Sequence, residues 1–241
     1  MAHGTSSRPP QSSGSTKQGA ARSPSSGPAS AAAGPRRRKR LRKEEIVAEA
    51  TRLFAERGYE GASMGDLAER VGLRKASLFH HFPSKDVLYA TVLRELMENV
   101  KVAILTAAAA EGSFAERLDA LTDGLTDVLS AQPYAARLLV REAMDWGPVM
   151  RGGLSRTMND ILAAGLEFAR AGQRAGEFNP ELDAPQLIVS FVGIHFMPFA
   201  IGEVVEGFTG TSPFHPAFVR DRKLAVRTQI RDLALAKKPK K

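Results

Sequence analysis

Four punctuating residues, Gly58, Gly61, Gly72 and Pro83, cut residues 44–86 into short segments whose apolar residues recur with helical rather than alternating spacing. In the first, Ile46, Ala50, Leu53 and Phe54 fall at i, i+4, i+7 and i+8 and form one apolar stripe. That stripe predicts a helix ending near Arg57, with Gly58 as its left-handed cap. Ser63 then stands ahead of Met64, Gly65 and Asp66, a hydroxyl N-cap with an acid three residues on, which is a weaker form of the capping box. Leu67, Ala68 and Val71 mark the buried side of this second helix, and Gly72 closes it. The third helix is predicted over Arg74–His81, because Pro83 disfavours helical geometry at Phe82.

That third helix is about two turns long, with Leu78 and Phe82 facing a core. Lys75, Ser77, Phe79 and His80 are left pointing elsewhere. A short helix carrying donors and aromatics on its free face has the shape that enters a DNA major groove. Ser84 caps a fourth, longer helix with Asp86 in its first turn, where a negative charge suits the helix dipole. Val87, Leu88, Val92, Leu93, Leu96, Val100 and Ile104 carry it toward the alanines at 107–110.

Beyond it the spacing stays helical through Phe114–Leu129, Tyr134–Met144, Leu154–Gly172, Pro185 to about Glu206, and Ala217–Ala236. Breaks fall at Gly112, Gln132-Pro133, Trp146-Gly147-Pro148, Gly176–Pro180 and Gly207–Pro216. Pro185 sits well in a helix's first turn. No internal repeat interrupts the series, so the fold class is all-α. Leu187–Gly202 is uncharged and strongly apolar, but it falls short of the roughly 20 residues a bilayer span needs and carries Ser190, His195 and Pro198. A buried core or interface helix is expected there, with no membrane partner.

Charge is distributed unevenly. Residues 1–43 hold ten Lys or Arg and no acid, and residues 237–241 hold four Lys. Removing these fourteen from the 34 basic residues leaves 20 against 26 acids in residues 44–236, a net −6. The basic excess therefore belongs to the two ends, which excludes a uniformly basic nucleic-acid coat. The Ser, Gly, Pro and Ala of residues 1–34 are too poor in large apolar side chains to fold alone, so residues 1–40 are expected to form a disordered basic arm. The run Pro35–Lys43 reads as a solvated solubilising arm, as a contact to phosphates or the minor groove, or as a localisation signal. The absence of cysteine removes disulfides and thiolate metal sites and fits a cytoplasmic setting. The five histidines show no HExxH or other metal spacing, and neither a phosphate loop nor a GxSxG elbow occurs. No catalytic, metal or cofactor site is therefore expected.

Residues 44–93 resemble the DNA-binding domain of the TetR/AcrR family of bacterial transcriptional regulators. The matched residues are Ile46, Ala50, Leu53-Phe54, Gly58-Tyr59, Ser63-Met64, Leu67-Ala68, Val71-Gly72-Leu73 and the run Leu78–Leu88. The resemblance implies an N-terminal three-helix helix-turn-helix domain over 41–91 and a helical ligand-binding and dimerisation domain over 92–236, followed by the basic tail that the lysines of 237–241 mark. It also implies a cytoplasmic repressor that binds a palindromic operator in double-stranded DNA as a homodimer and is released by a small hydrophobic effector. Ser63 would bond a phosphate, and Arg74, Lys75, Ala76 and Ser77 would face base edges and flanking phosphates. Lys75 would read guanine, and Ala76 would meet a thymine methyl. Phe79, His80 and Lys85 would clamp the backbone. Two positions depart from the family pattern: Phe79 stands where Tyr is common, and Arg74 where a small capping residue is frequent.

In the same resemblance the C-terminal helices dimerise and enclose the effector. Leu187, Phe191, Ile194 and Pro198 would form the seam of a four-helix interface between copies, with the Phe218–Leu235 helix beside them. An effector pocket would take Met144, Trp146, Met150, Phe168, Phe191, Phe196 and Phe199 as apolar walls and His195 as a polar handle. A lone histidine on an apolar helix is also an ordinary core residue.

Overall fold

The computed structural model describes residues 35–147, 149–151 and 155–236, with side chains from Arg42 onward. The low-complexity stretch 1–34 and the tail 237–241 lie outside the described residues. Among the described residues ten helices follow one another: α1 Pro35–Gly61, α2 Met64–Arg70, α3 Lys75–His81, α4 Lys85–Ala108, α5 Phe114–Ala131, α6 Ala135–Met144, α7 Ser155–Arg174, α8 Ala184–Ala200, α9 Gly202–Thr209 and α10 Pro216–Ala234. The all-α expectation holds.

Two boundaries differ from the expected ones. The backbone of residues 35–40, read as disordered arm, is the start of α1. Within α1 the first helix gives way at Gly58, whose positive φ (71°) is the expected one, and a separate helical turn follows the kink to Gly61. The single helix expected over 185–206 is two, α8 and α9, bent by 79° at Ile201. Gly202 allows that bend because Pro213 and Phe214 pack where its side chain would stand. Among the described residues no single helix is long and apolar enough to cross a membrane.

Two apolar clusters hold the chain together. One gathers Ile46, Phe54, Leu67, Leu78, Phe82, Leu88 and Tyr89 from α1–α4 and continues into Leu138, Leu139 and Ile161 of α6 and α7. The other lies among α4, α5, α7, α8 and α10 around Leu125, Phe168, Phe178, Phe199 and Ile230. Because α4 contributes to both, no apolar gap falls at residue 91. Full burial of one such leucine contributes about 1.5–3 kcal/mol. Antiparallel α5 and α10 are also laced by Asp119–Arg231 (2.5 Å), Asp123–Arg227 and Asp127–Lys223 (2.6 Å). These acids and bases recur every four residues, so each set lies on one helix face.

Candidate nucleic-acid interface and apolar cavity

Helices α2 and α3 meet through a tight turn. Gly72, at φ 62°, turns the chain, and Leu73 N–H bonds Ala68 C=O at 2.8 Å. The left-handed backbone, not crowding, makes glycine fit there, since no atom lies within 4 Å of where its Cβ would be. Leu78 and Phe82 anchor α3 in the core, as their spacing predicted. Ion pairs fix α2 on α1: Arg57 holds Asp66 at 2.7 Å, and Arg70 reaches Glu49 (3.1 Å) and Glu56 (2.8 Å). Asp66 is thereby drawn to Arg57, and only half of the expected capping box forms, with Asp66 N–H on Ser63 Oγ at 3.1 Å.

Anchored in this way, α3 exposes Arg74, Lys75, Ala76, Ser77, Phe79 and His80 together. Ser63 is exposed at the start of α2, and half-buried Lys85 begins α4. Arg74 is the N-cap of α3 and makes no side-chain capping bond. Phe79 is 38% exposed and belongs to this surface rather than to the core, with the Lys75 ammonium 6.0 Å from its ring centre. The Lys85 ammonium lies 4.3 Å from the centre of the Tyr59 ring, whose phenol donates to Asp86. Burial first, and then Asp86, push the Tyr59 phenol up to about 12, so it stays protonated and keeps that bond.

A cavity of about 680 Å³ opens in the second part of the chain, bounded by α4, α5, α6, α7 and α8. Phe168, Phe191 and Phe196 stand on its wall; the other five residues expected there do not. Met144 (80% exposed) and Trp146 (60% exposed) lie on the outer surface, because α6 ends at Met144 and Trp146 takes a left-handed φ of 46° that turns the chain. Met150 is buried with the α1–α4 cluster, and Phe199 packs on Phe214. His195 is buried beside the cavity, its Nδ1 2.8 Å from Phe191 C=O and its ring tilted 35° against that of Phe191, with ring centres 4.1 Å apart. The expected seam fails for a related reason: Leu187 and Phe191 are buried facing the cavity, and Ile194 and Pro198 are only half-buried. The large apolar side chains that α8–α10 and the bend between α8 and α9 expose are instead Val189, Val192, Met197, Ile201, Val204, Phe208, Leu224 and Leu233.

Burial lowers His195 to about 4. Since the unfolded chain takes up this proton near neutral pH and the folded chain does not, stability falls with pH from the ordinary histidine range down to that value. Replacing His195 by Leu should remove about 1 kcal/mol of the stability lost between about pH 7.5 and about pH 5.5. Urea unfolding of both proteins at the two pH values measures it. Equal pH dependence would mean that His195 titrates normally.

The residue that sequence reasoning missed is Glu142. Its carboxylate is buried on α6, accepts the Tyr89 phenol of α4 at 2.8 Å, and receives Val149 N–H (2.9 Å) and Met150 N–H (2.7 Å) from the following turn. Desolvation, then Glu142, push the Tyr89 phenol upward, so it remains a donor. A signal was present: position 142 follows Ala135, Leu138 and Leu139 at helical spacing, on the inward face of α6.

Comparison with known proteins gives one consistent likeness. Residues 46–92 match the model described as bacterial regulatory proteins, tetR family, and residues 94–228 match a tetracyclin repressor-like C-terminal domain. A relative, the HTH-type transcriptional repressor AcnR of Corynebacterium diphtheriae, is 46% identical over 55 residues, 23% of this chain and 29% of AcnR. The chain spans less than half the length of the first curated relatives it matches. Among solved structures, the ketosteroid regulator KstR2 of Mycobacterium tuberculosis aligns with a TM-score of 0.70 at 18% identity, covering 81% of this chain and 96% of KstR2. AibR, solved with isovaleryl coenzyme A and operator DNA, aligns with a TM-score of 0.62 at 18% identity, covering 78% of this chain and 97% of AibR.

Proposed function

The chain belongs to the tetR family of bacterial regulatory proteins, and we propose that it is a cytoplasmic homodimeric repressor that a small apolar effector releases from a palindromic operator. The observation that carries this reading is the exposed cluster on α3, set on a helix whose other face is anchored in the core. In a dimer, two such helices spaced about 34–36 Å apart would enter successive major grooves. Arg74, Lys75, Ala76 and Ser77 would meet base edges and flanking phosphates, while Ser63, Phe79, His80 and Lys85 would fix the backbone. The apolar side chains that α8, α9 and α10 expose away from the cavity, Met197, Val204, Phe208 and Leu224, supply a surface for the second copy.

The cavity is the proposed effector site. Helix α4 lines it through Met97, Val100 and Ile104 and begins at Lys85, beside α3. A ligand that prefers one placement of α4 would shift the spacing of the two α3 helices and so weaken DNA binding. AibR, bound to both a coenzyme A thioester and operator DNA, is a relative in fold in which the two kinds of partner occur together.

The test is sedimentation of the full chain with footprinting on genomic DNA. A dimer protecting a two-fold symmetric site, with transcription from the adjacent promoter rising when the gene is removed, is the expected result. A stable monomer, an asymmetric footprint or falling transcription would each overturn the corresponding part.

A further inference from the structure

The cavity wall specifies what its occupant must look like. Every side chain lining it is apolar, from Leu118, Leu121 and Leu125 of α5 across to Phe191 and Phe196 of α8. No hydroxyl, amide or charge lies on the wall. His195 on α8 is not on the wall: its Nδ1 meets Phe191 C=O, and its buried Nε2 has no hydrogen-bond partner among the described residues. The cavity is also graded in depth. Leu118, Leu121, Leu125 and Phe178 are buried at one side, whereas Ala163 on α7 and Pro185, Val189 and Val192 on α8 are exposed at the other. Val189 is 66% exposed, so the cavity reaches solvent between α7 and α8.

From this we infer that the ligand is an amphiphile that enters hydrocarbon end first, burying an unsubstituted hydrocarbon tail against α5 and leaving its polar head at the α7–α8 mouth. This rests on the cavity being the effector site and names the chemistry of that site. A polar group carried to the deep end finds no partner and forfeits its bonds to water. Each methylene added to the tail instead removes more apolar surface from water. Selectivity therefore lies in the buried end of the ligand, and the head is interchangeable. A volume of about 680 Å³ accommodates a long tail.

The test is displacement of an environment-sensitive naphthalene dye from the full-length protein by saturated fatty acids of about eight to about sixteen carbons, their primary alcohols, and the same acids hydroxylated at the terminal carbon. Affinity should rise about fourfold per added methylene until the cavity is filled. The alcohols should follow the same slope as the acids, and a terminal hydroxyl should weaken binding by about fivefold to about 150-fold. Leu121→Phe, which fills the deep end, should move the plateau to a shorter chain. If that variant does not fold, the series on the unaltered protein decides the matter. A flat length series, or terminally hydroxylated acids binding as well as their parents, overturns the inference. Release of DNA is read separately by anisotropy on the footprinted operator. Tight binding with this selectivity but without release overturns the effector reading and leaves the ligand chemistry standing.

Discussion

Glu142→Ala should lower the free energy of unfolding by about 3–5 kcal/mol, because two buried donors and one half-buried donor lose their shared acceptor at once. Those donors are the Tyr89 phenol and the amides of Val149 and Met150. Each donor left unsatisfied in the interior costs about 1–3 kcal/mol, offset where water reaches it. Glu142→Gln should cost less, since an amide keeps an oxygen for the two backbone N–H groups and turns its NH₂ to the phenol oxygen. The loss in melting temperature for Ala should be on the order of 10 °C, and calorimetry of the two variants side by side measures it. Ala and Gln behaving alike would show that the carboxylate contributes little beyond filling space. Gly147 belongs to the same unit, because a Cβ there would overlap the Glu142 carboxylate. This turn joins α6, whose Leu139, Val140 and Ala143 line the cavity, to Tyr89 on α4. The same bonds thus tie the cavity wall to the helix that begins beside α3.

What the sequence made legible, and what it hid, follows from the range of the forces involved. Helix periodicity and the Gly72 and Pro83 stops are local, so α2 and α3 were located to within a residue and Leu78 and Phe82 were placed in the core. The exposed set on α3 followed as the remainder. The cavity was less accessible to the same reasoning. Which face of α8 meets the interior depends on how α4, α5 and α7 pack around it. That packing turned Leu187 and Phe191 inward and left Val189 and Met197 outside. Aromatic and methionine content alone drew Met144, Trp146 and Phe199 into the expected pocket. The left-handed turn at Trp146 and the bend at Ile201 then carried them elsewhere. Glu142 was hidden for the opposite reason. Its inward position was readable, but a carboxylate is kept inside only by partners distant in sequence, Tyr89 being 53 residues away.

Lys75→Ala and Lys85→Ala should weaken DNA binding in different ways, and the difference tests which contacts read sequence. Residues 44–86 carry six Lys or Arg against eight acids, so attraction to DNA has to come from where the cations stand rather than from net charge. Arg57 and Arg70 are occupied in binding α2 to α1, whereas Lys75 is exposed on α3. At the first residue of that helix, a lysine would meet guanine O6 and N7 in the groove. Its removal should cost about 1–3 kcal/mol at the preferred base pair and little at a substituted one, so operator and altered site converge. Lys85 is placed differently. Its ammonium rests over Tyr59, whose phenol occupies Asp86, and the neighbouring acid is thus drawn away from it. There the charge would serve a phosphate, and Lys85→Ala should weaken binding to every sequence alike and reduce the salt slope by about one unit. Anisotropy titrations of both variants on the operator and on single-base substitutions, across a salt series, separate the two patterns. Identical losses on all sequences would place Lys75 on the backbone and move base reading to Arg74 or Ser77.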